Sequence, residues 1–241
     1  MNWVITSRAA MLCAVIASSA GAQSGPLTMD TRNNLYLAGG NVVSAGFTGG
    51  GGLTPGAINL NAGTSRILTV SSATGSAFFC TSTCQGTLEG GAIGGTDIAS
   101  GGVIAGIVAP SPASGFLAGL FLGPSLPAVA PARLNFNSGL NFTSLSPLVG
   151  QIFFIGNGLT SGMVTQQFLV PDGATRLYFG IADAGAFSGA PGFYDDNVGS
   201  YSFNYAVTGA QMSAVPEPST VALFGIGALC TLAFARRRRG V

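Results

Sequence analysis

Glycine and proline divide the central part of this chain into short apolar runs, which limits the folds open to it. The sequence has 38 glycines and 12 prolines among its 241 residues. Between residues 23 and 214 no segment keeps a helical period, whereas β-branched and aromatic residues recur in the short runs. We therefore expect the central part to be all-β.

Eight of these runs are predicted as strands, and several alternate in polarity. In the last of them, Tyr201, Phe203, Tyr205 and Val207 would share one face. The predicted strands are 65–71, 102–109, 115–122, 133–137, 151–155, 165–170, 176–182 and 200–208. Short strands at this spacing indicate a β-sandwich of jelly-roll type over residues 65–209.

Two weaker regions flank the predicted sandwich. Residues 23–64 contain the glycine run 49–52 and are predicted as a loop-rich leading segment, with one or two strands around residues 35–37. Residues 210–214 are predicted as a short linker.

The first 22 residues have the pattern of a secretory signal peptide. One cation, Arg8, precedes an apolar run over residues 9–17, and Ala20 and Ala22 supply the small residues of a cleavage site. The apolar run is too short to span a membrane comfortably. We expect cleavage after Ala22 and export of the remainder.

The other end of the chain carries a proline-acid-proline triplet, an apolar run and a cluster of arginines. The triplet stands in Val215, Pro216, Glu217 and Pro218. Residues 219–235 contain no charged side chain and would span about 25 Å as a helix. The cluster is Arg236, Arg237, Arg238 and Arg239. Because such a cluster stays on the cytoplasmic side, we expect the rest of the chain to lie across the membrane.

In this order, the three features resemble the PEP-CTERM sorting signal of Gram-negative bacteria. The resemblance covers residues 215–241 and implies an exported protein that one transmembrane helix holds transiently at the inner membrane. An exosortase, the implied partner, would then cut near the triplet and release the protein to the cell surface or the extracellular space. An ordinary C-terminal tail anchor is the alternative interpretation.

Between residues 23 and 218 the chain is acidic. This region keeps four of the nine cationic residues and all eight acidic ones, with no Lys and no His. The composition disfavours nucleic-acid binding, which needs a surface of Lys and Arg. The region also lacks the usual general base and the usual amine nucleophile, so we do not expect an enzyme.

Two cysteines remain outside the terminal segments, Cys80 and Cys84. In an oxidising, exported setting an isolated pair separated by three Ser/Thr residues indicates a local disulfide that closes a tight loop. A redox-active pair is the alternative, although the spacing is not C-x-x-C.

Polar chemistry concentrates in residues 183–200. Asp183 ends one predicted strand, and Asp195, Asp196 and Asn197 come just before the next. If the two strands pair as a hairpin, three or four side-chain oxygens meet there. Oxygen donors in a flexible loop suit Ca²⁺, which would also relieve repulsion between the carboxylates. Asp and Asn that merely begin turns are the alternative.

This loop is similar to the calcium loop of bacterial galactophilic lectins and to the galactose-binding-like β-sandwich. The pattern is Gly-x-x-Asp at the end of a strand, a Gly-rich loop, and Asp-Asn-x-Gly-Ser before the final strand. The resemblance extends weakly over residues 65–208. It implies that Asp183, Asp196 and Asn197 are ligands, whereas Asp195 replaces a residue that need not be acidic.

The sequence is compatible with three functions. The first is an exported surface or matrix protein with a calcium-stabilised β-sandwich, delivered together with exopolysaccharide. The second is a calcium-dependent carbohydrate-binding module, in which Phe187, Phe193 and Tyr194 would stack on a sugar, although aromatic residues at the base of a loop also pack inside. The third is a hydrolase that uses two of the aspartates, the least favoured because nothing else in the chain assists them.

Overall fold

The computed structural model describes residues 22–80, 84–91 and 93–210. The chain divides into two compact units, residues 1–211 and 212–241. The predicted signal peptide up to residue 21, the membrane helix and the arginine cluster all lie outside the described residues. Within the described ranges, no helix is both long and apolar enough to cross a membrane.

The described residues form fourteen strands and three short 3-10 helices. The strands are β1 Gln23–Asp30, β2 Ile58–Asn59, β3 Thr64–Phe78, β4 Gln85–Gly86, β5 Thr96–Ile98, β6 Ile107–Ala109, β7 Ala118–Leu122, β8 Leu134–Asn135, β9 Ser144–Leu145, β10 Ile152–Phe154, β11 Gln167–Leu169, β12 Arg176–Gly180, β13 Ser188–Gly189 and β14 Val198–Ala210. The 3-10 helices are Leu35–Gly40, Gly185–Phe187 and Tyr194–Asp196.

The strands assemble into three sheets. The main sheet has the order β1-β14-β3-β11-β9, with β4 paired to β3. The second sheet has the order β10-β7-β12-β2, and the third has the order β13-β5-β6-β8. The all-β class is thus confirmed, whereas the jelly-roll order is not and stays a prediction.

The longest pairing joins β3 and β14, the two longest strands. They run antiparallel from Val198 opposite Phe78 to Ala210 opposite Thr64, with two register shifts. Gly75 and Gly199 both take positive φ, and a Cβ on either would collide with a carbonyl oxygen of the opposite strand. Glycine therefore permits the close backbone approach at this end of the ladder.

The second sheet is buried on both faces. Every residue of β7 and β10 is buried, so these strands have continuous apolar sequences rather than alternating ones. Aromatic rings join this sheet to the main one: the Phe179 ring lies 4.8 Å from that of Phe203, and the Phe153 ring 5.3 Å from that of Phe168. The core therefore lies between the main and second sheets.

Several sequence-based boundaries differ from the structure. The predicted strand 102–109 shortens to Ile107–Ala109, and 65–71 extends to Thr64–Phe78. The prediction missed six strands, five of which have only two or three residues: β1, β2, β4, β5, β9 and β13. Most of these depend on hydrogen bonds to partners distant in sequence, which leave little local signal.

The first part of the predicted leading segment belongs to the main sheet. β1 pairs with β14 from Gln23 opposite Val207 to Asp30 opposite Ser200. The strand expected around residues 35–37 is wrong, because Leu35–Gly40 is a 3-10 helix. The side chain of Asn34 begins this helix by accepting a hydrogen bond of 2.8 Å from the Tyr36 N–H.

Phe153 offers a test of the core between the sheets. It is fully buried and also stacks on Phe121 at 5.0 Å between ring centroids. We expect Phe153→Ala to lower the free energy of unfolding by about 3–5 kcal/mol, measured by urea denaturation, because it leaves a cavity between two sheets. Val129→Ala is the control, since Val129 is 75% exposed and its loss should cost less than about 0.5 kcal/mol. Equal losses in the two variants would contradict the described packing.

Candidate metal centre

The connection between β12 and β14 carries the polar residues that the sequence singled out. It leads from the second sheet into the main sheet, since β12 pairs with β7 and β2 whereas β14 pairs with β1 and β3. The two strands therefore do not pair as a hairpin, the condition under which the sequence would have brought the polar side chains together. The polar side chains meet for a different reason, which is that the connection folds back on itself.

Hydrogen bonds at Asp183 and at the nearby Ile181 hold the connection in this folded-back shape. The Gly192 N–H donates to the Asp183 carbonyl oxygen at 3.0 Å. The Asp183 N–H donates to the hydroxyl oxygen of Tyr194 at 2.9 Å, and that hydroxyl lies 3.4 Å from the Ile181 carbonyl oxygen. Tyr194 is fully buried, so it anchors the returning arm next to Asp183.

Three side chains come together where the loop closes. The side chain of Asn197 lowers the pKa of the Asp183 carboxyl and the charge of Asp196 raises it, so both residues lie near Asp183. Asp183 and Asn197 are each only 2% exposed. Asp183 Oδ2, Asp196 Oδ1 and Asn197 Oδ1 are buried atoms without a hydrogen-bond partner. Each such atom costs roughly 1–3 kcal/mol, so three in one place form an unusual and unfavourable set.

The other side-chain polar atoms of Asp183 and Asn197 have protein partners. Asp183 Oδ1 accepts a hydrogen bond from the Ala184 N–H at 2.7 Å, and the Asn197 amide donates to the Thr31 carbonyl oxygen at 3.2 Å. These bonds fix both side chains in place. The partnerless oxygens are thus held rather than free to turn toward water.

The electrostatics of the loop favour protonation of Asp183 in the metal-free protein. Burial raises the pKa of Asp183 to about 8, against the lowering effects of the Asn197 side chain and the Ala184 hydrogen bond, and the charge of Asp196 raises it further. Burial also raises the pKa of Asp196, as does the charge of Asp195. A cation at this place would reverse both effects, because it favours the ionised carboxylates.

Asp195 faces a different segment from the other three residues. Its Oδ1 accepts a hydrogen bond from the Gly52 N–H at 2.9 Å, and its own N–H donates to the Gly49 carbonyl oxygen at 3.4 Å. A Cβ at Gly50 would collide with the Asp195 carboxyl. The glycine run 49–52 therefore packs against Asp195, and the structure does not bring this carboxylate to the other three side chains.

The loop also has a strained backbone. Ala186, Phe187 and Phe193 adopt φ values of 51°, 54° and 66°, in the left-handed region that favours glycine. Such conformations cost on the order of 1–3 kcal/mol each and concentrate at binding and catalytic sites. The loop is thus held in its shape by the packing around it.

The donor set fits a cation that prefers oxygen. Two carboxylates and one amide supply the partnerless oxygens, and Ca²⁺ binds such groups together with backbone carbonyls and water. Among the described residues, no group of three or more His, Cys, Asp or Glu side chains is arranged to hold a metal ion. The candidate set contains two carboxylates, and its third member, Asn197, supplies an amide oxygen.

Two of the three aromatic residues considered for sugar contact lie in the core. Phe187 is 1% exposed with its ring 5.4 Å from that of Phe79, and Tyr194 is fully buried. Neither ring can stack on a sugar in this arrangement. Phe193 is 36% exposed, so its ring is the one of the three that reaches the surface, where it packs over Gly49.

Cys80 and Cys84 form a disulfide, with their Cα atoms 5.4 Å apart. It closes a loop just after β3, and β4 follows immediately. This disulfide lies outside the group of loop residues considered as a metal centre.

Sequence reasoning missed two supports of the candidate site. It treated Tyr194 as a surface contact, whereas its hydroxyl organises the loop. It also treated the glycine run 49–52 only as a sign of irregular structure. Four consecutive glycines are a signal for close backbone approach, which the contact with Asp195 explains.

The raised pKa of Asp183 predicts how stability changes with pH in the metal-free protein. Between about pH 4 and about pH 8 the folded chain binds more protons at Asp183 than the unfolded chain does. This contribution to stability is fully present below about pH 4 and is lost as the pH rises through about 8. We expect the free energy of unfolding, measured with a chelator present, to fall from about pH 5.5 to about pH 8.5.

Asp183→Asn should flatten this pH profile, because the amide does not titrate. Asp172→Asn removes an exposed acid and should keep the wild-type slope. The chain has no His, so few other groups titrate in this range. A wild-type profile without slope, or an unchanged slope in Asp183→Asn, would contradict the burial of this carboxyl.

Comparison with known proteins gives one match, at the C-terminal end. The family model of the PEP-CTERM protein-sorting motif matches residues 214–239. This motif supports the assignment as a PEP-CTERM protein, and it indicates export, anchoring in the membrane before processing, and an exosortase as the processing partner. No curated protein and no solved structure matches the chain.

Proposed function

We propose that this chain is an exported structural protein of the cell surface or extracellular matrix whose β-domain is stabilised by Ca²⁺ at Asp183, Asp196 and Asn197. The observation that carries the proposal is the set of three buried, partnerless oxygens on these neighbouring side chains. A bound cation would give all three a partner at once. It would also offset the repulsion between the two carboxylates.

The choice of Ca²⁺ rests on the donors and on their setting. All the partnerless atoms are oxygens, and the exported region lacks His and has its two cysteines joined in a disulfide. Soft or borderline transition metals prefer thiolate and imidazole ligands. Mg²⁺ demands a near-ideal octahedron, whereas Ca²⁺ accepts the irregular geometry of a loop and occurs at high concentration outside cells.

The cation would connect the two large sheets. The loop begins just after β12 in the second sheet and ends at β14 in the main sheet. A ligand from each end of the loop, Asp183 and Asn197, ties the end of one strand to the start of the other. Calcium would thus stabilise the folded domain once it meets the extracellular medium.

Association with extracellular polysaccharide is the role that we propose for this domain, because its composition has few charged residues. The region between residues 23 and 218 has only four cationic residues, with no Lys and no His. A calcium-dependent carbohydrate-binding module is the second candidate. The observation that favours it is the exposed ring of Phe193 on the same loop.

Calcium titration of the purified chain tests the proposed site. At a hundred times its dissociation constant, Ca²⁺ should add about 2.7 kcal/mol to the free energy of unfolding. For a domain of this size the melting temperature should rise by roughly 5–10 °C relative to the chelated sample. Asp196→Ala removes one ligand and should abolish most of the rise.

Asp172→Ala is the matched control for the calcium titration, because it removes an exposed aspartate from a different connection, between β11 and β12. It should respond to Ca²⁺ as the wild type does. If the wild type does not respond, or if both variants respond equally, the three residues are not a calcium site.

Replacement of the triplet tests the sorting assignment. With Pro216, Glu217 and Pro218 all changed to Ala in the native host, we expect the chain to stay in the membrane fraction at its unprocessed mass. Gln211→Ala, just ahead of the matched motif, is the control and should be processed normally. Normal processing of the triple variant would contradict recognition by an exosortase.

A further inference from the structure

A cleft of about 400 Å³ opens on the surface of the β-domain, and none of its lining residues belongs to the loop of the candidate metal centre. Its walls come from three segments that are distant in sequence, residues 87–90, 110–113 and 140–141. Phe154, Leu159 and Ser161 complete the lining. The volume falls within the range of small-molecule sites, about 300–1,000 Å³.

The first two walls are fixed by hydrogen bonds and by close packing. Thr87 and Gly90 exchange backbone hydrogen bonds of 3.1 and 3.0 Å, which close a tight turn. The hydroxyl of the buried Tyr201 lies 2.9 Å from the Thr87 carbonyl oxygen and holds this turn against the core. A Cβ at Gly90 would lie 2.7 Å from the Ser114 nitrogen, so this turn packs directly on the segment that follows residues 110–113.

The third wall is held by a buried amide. Gln166 is fully buried, and its Nε2 donates hydrogen bonds of 2.9 Å to the carbonyl oxygens of Leu140 and Phe142. Asn141 lies between these two residues. Its Oδ1 accepts hydrogen bonds from the N–H and the hydroxyl of Ser161, at 2.7 and 3.2 Å. The cleft is therefore formed before any ligand arrives, which lowers the entropic cost of binding.

The lining combines polar groups at the rim with an apolar base. Glu89 is exposed, and its side chain has no hydrogen bond or ion pair within the described residues. The amide of Asn141 and the hydroxyl of Ser111 also line the cleft. Phe154, Leu140 and Pro112 supply apolar surface. The lining thus offers hydrogen bonds around an apolar surface.

The charge of the lining restricts the ligand. Among the described residues that line the cleft, Glu89 is the single ionisable side chain and there is no Arg. An anionic ligand would be repelled, because nothing compensates its charge. An aromatic cage for an ammonium group is also missing from the described lining, which contains one aromatic ring. A neutral molecule with many hydroxyls and one apolar face matches both the rim and the base.

We propose that this cleft binds a neutral saccharide unit independently of Ca²⁺, with Glu89 and Asn141 hydrogen-bonded to ring hydroxyls and the apolar ring face against Pro112 and Leu140, which are exposed and half-buried. This inference goes beyond the proposed calcium site and does not depend on it. It gives the domain a direct means of holding polysaccharide.

The test uses the full chain in a zwitterionic detergent, because glycoside detergents would compete. The probes are the methyl glycosides of glucose, galactose, mannose and N-acetylglucosamine, and their disaccharides. Glucuronic acid and choline are the charged controls. Saturation-transfer NMR detects binding, and calorimetry measures it in calcium and in chelator. We expect at least one neutral probe to bind equally in both conditions, and the charged probes to bind more weakly.

Variants assign the binding to this cleft. Glu89→Gln should weaken binding by roughly tenfold or more, because a hydrogen bond to a charged group contributes about 1.5–3 kcal/mol. Asn141→Ala should weaken it as well. Asp172→Asn removes one exposed carboxylate elsewhere and should leave affinity unchanged. The melting temperature of each variant shows whether it is folded.

Three results would overturn the proposal. One is that no neutral probe binds to the folded chain. Another is that binding survives both Glu89→Gln and Asn141→Ala, and a third is that chelation abolishes it, which would place the sugar at the metal centre. The calcium dependence of the melting temperature is read separately, so failure of the cleft leaves the calcium proposal standing.

Discussion

The pairing of β14 with β3 on one side and β1 on the other is the constraint on which the rest of the fold depends. The chain has few charged residues and many glycines. Among the described residues only two salt bridges are present, and both are exposed. Long backbone hydrogen-bond ladders, rather than ion pairs, therefore hold the fold together. The β14 ladder fixes Val198 at the start of an interior strand of the main sheet, and the polar residues Asp196 and Asn197 come immediately before it. The position of the candidate site therefore follows from the start of this strand.

Burial of Asp183 is the unfavourable consequence of that arrangement. The second sheet is apolar on both faces, and Asp183 follows its strand β12 into the interior. A carboxyl in this setting either keeps its proton or requires a cation, and the hydrogen bond from the Ala184 N–H only partly replaces water. The proposed calcium ion would give this carboxyl, the Asp196 oxygen and the Asn197 oxygen a common partner, whereas turn formation alone explains none of the three buried atoms.

The sequence predicted the parts of the fold that depend on local pattern. The alternation of Tyr201 and Phe203 placed β14, and the spacing of Asp183, Asp196 and Asn197 identified three side chains that the structure brings together. The sequence did not show which of the adjacent residues Asp195 and Asp196 faces inward. That choice depends on the glycine run 49–52, which is distant in sequence and binds Asp195. The inward turn of Phe187 and Tyr194 likewise depends on partners elsewhere in the chain. The cleft at Glu89 joins three distant segments, so no single stretch of sequence contains its signal.

Terbium luminescence tests the central claim most directly, because Tb³⁺ binds calcium sites and accepts energy from a nearby tyrosine. The hydroxyl oxygen of Tyr194 lies 2.9 Å from the Asp183 nitrogen, so an ion at the candidate site would be close to this ring. Excitation of tyrosine should produce terbium emission that Ca²⁺ displaces, that Tyr194→Phe reduces, and that Asp183→Asn or Asp196→Asn abolishes. Emission that is absent, or that persists in both aspartate variants, would contradict a calcium ion at the junction of the two sheets.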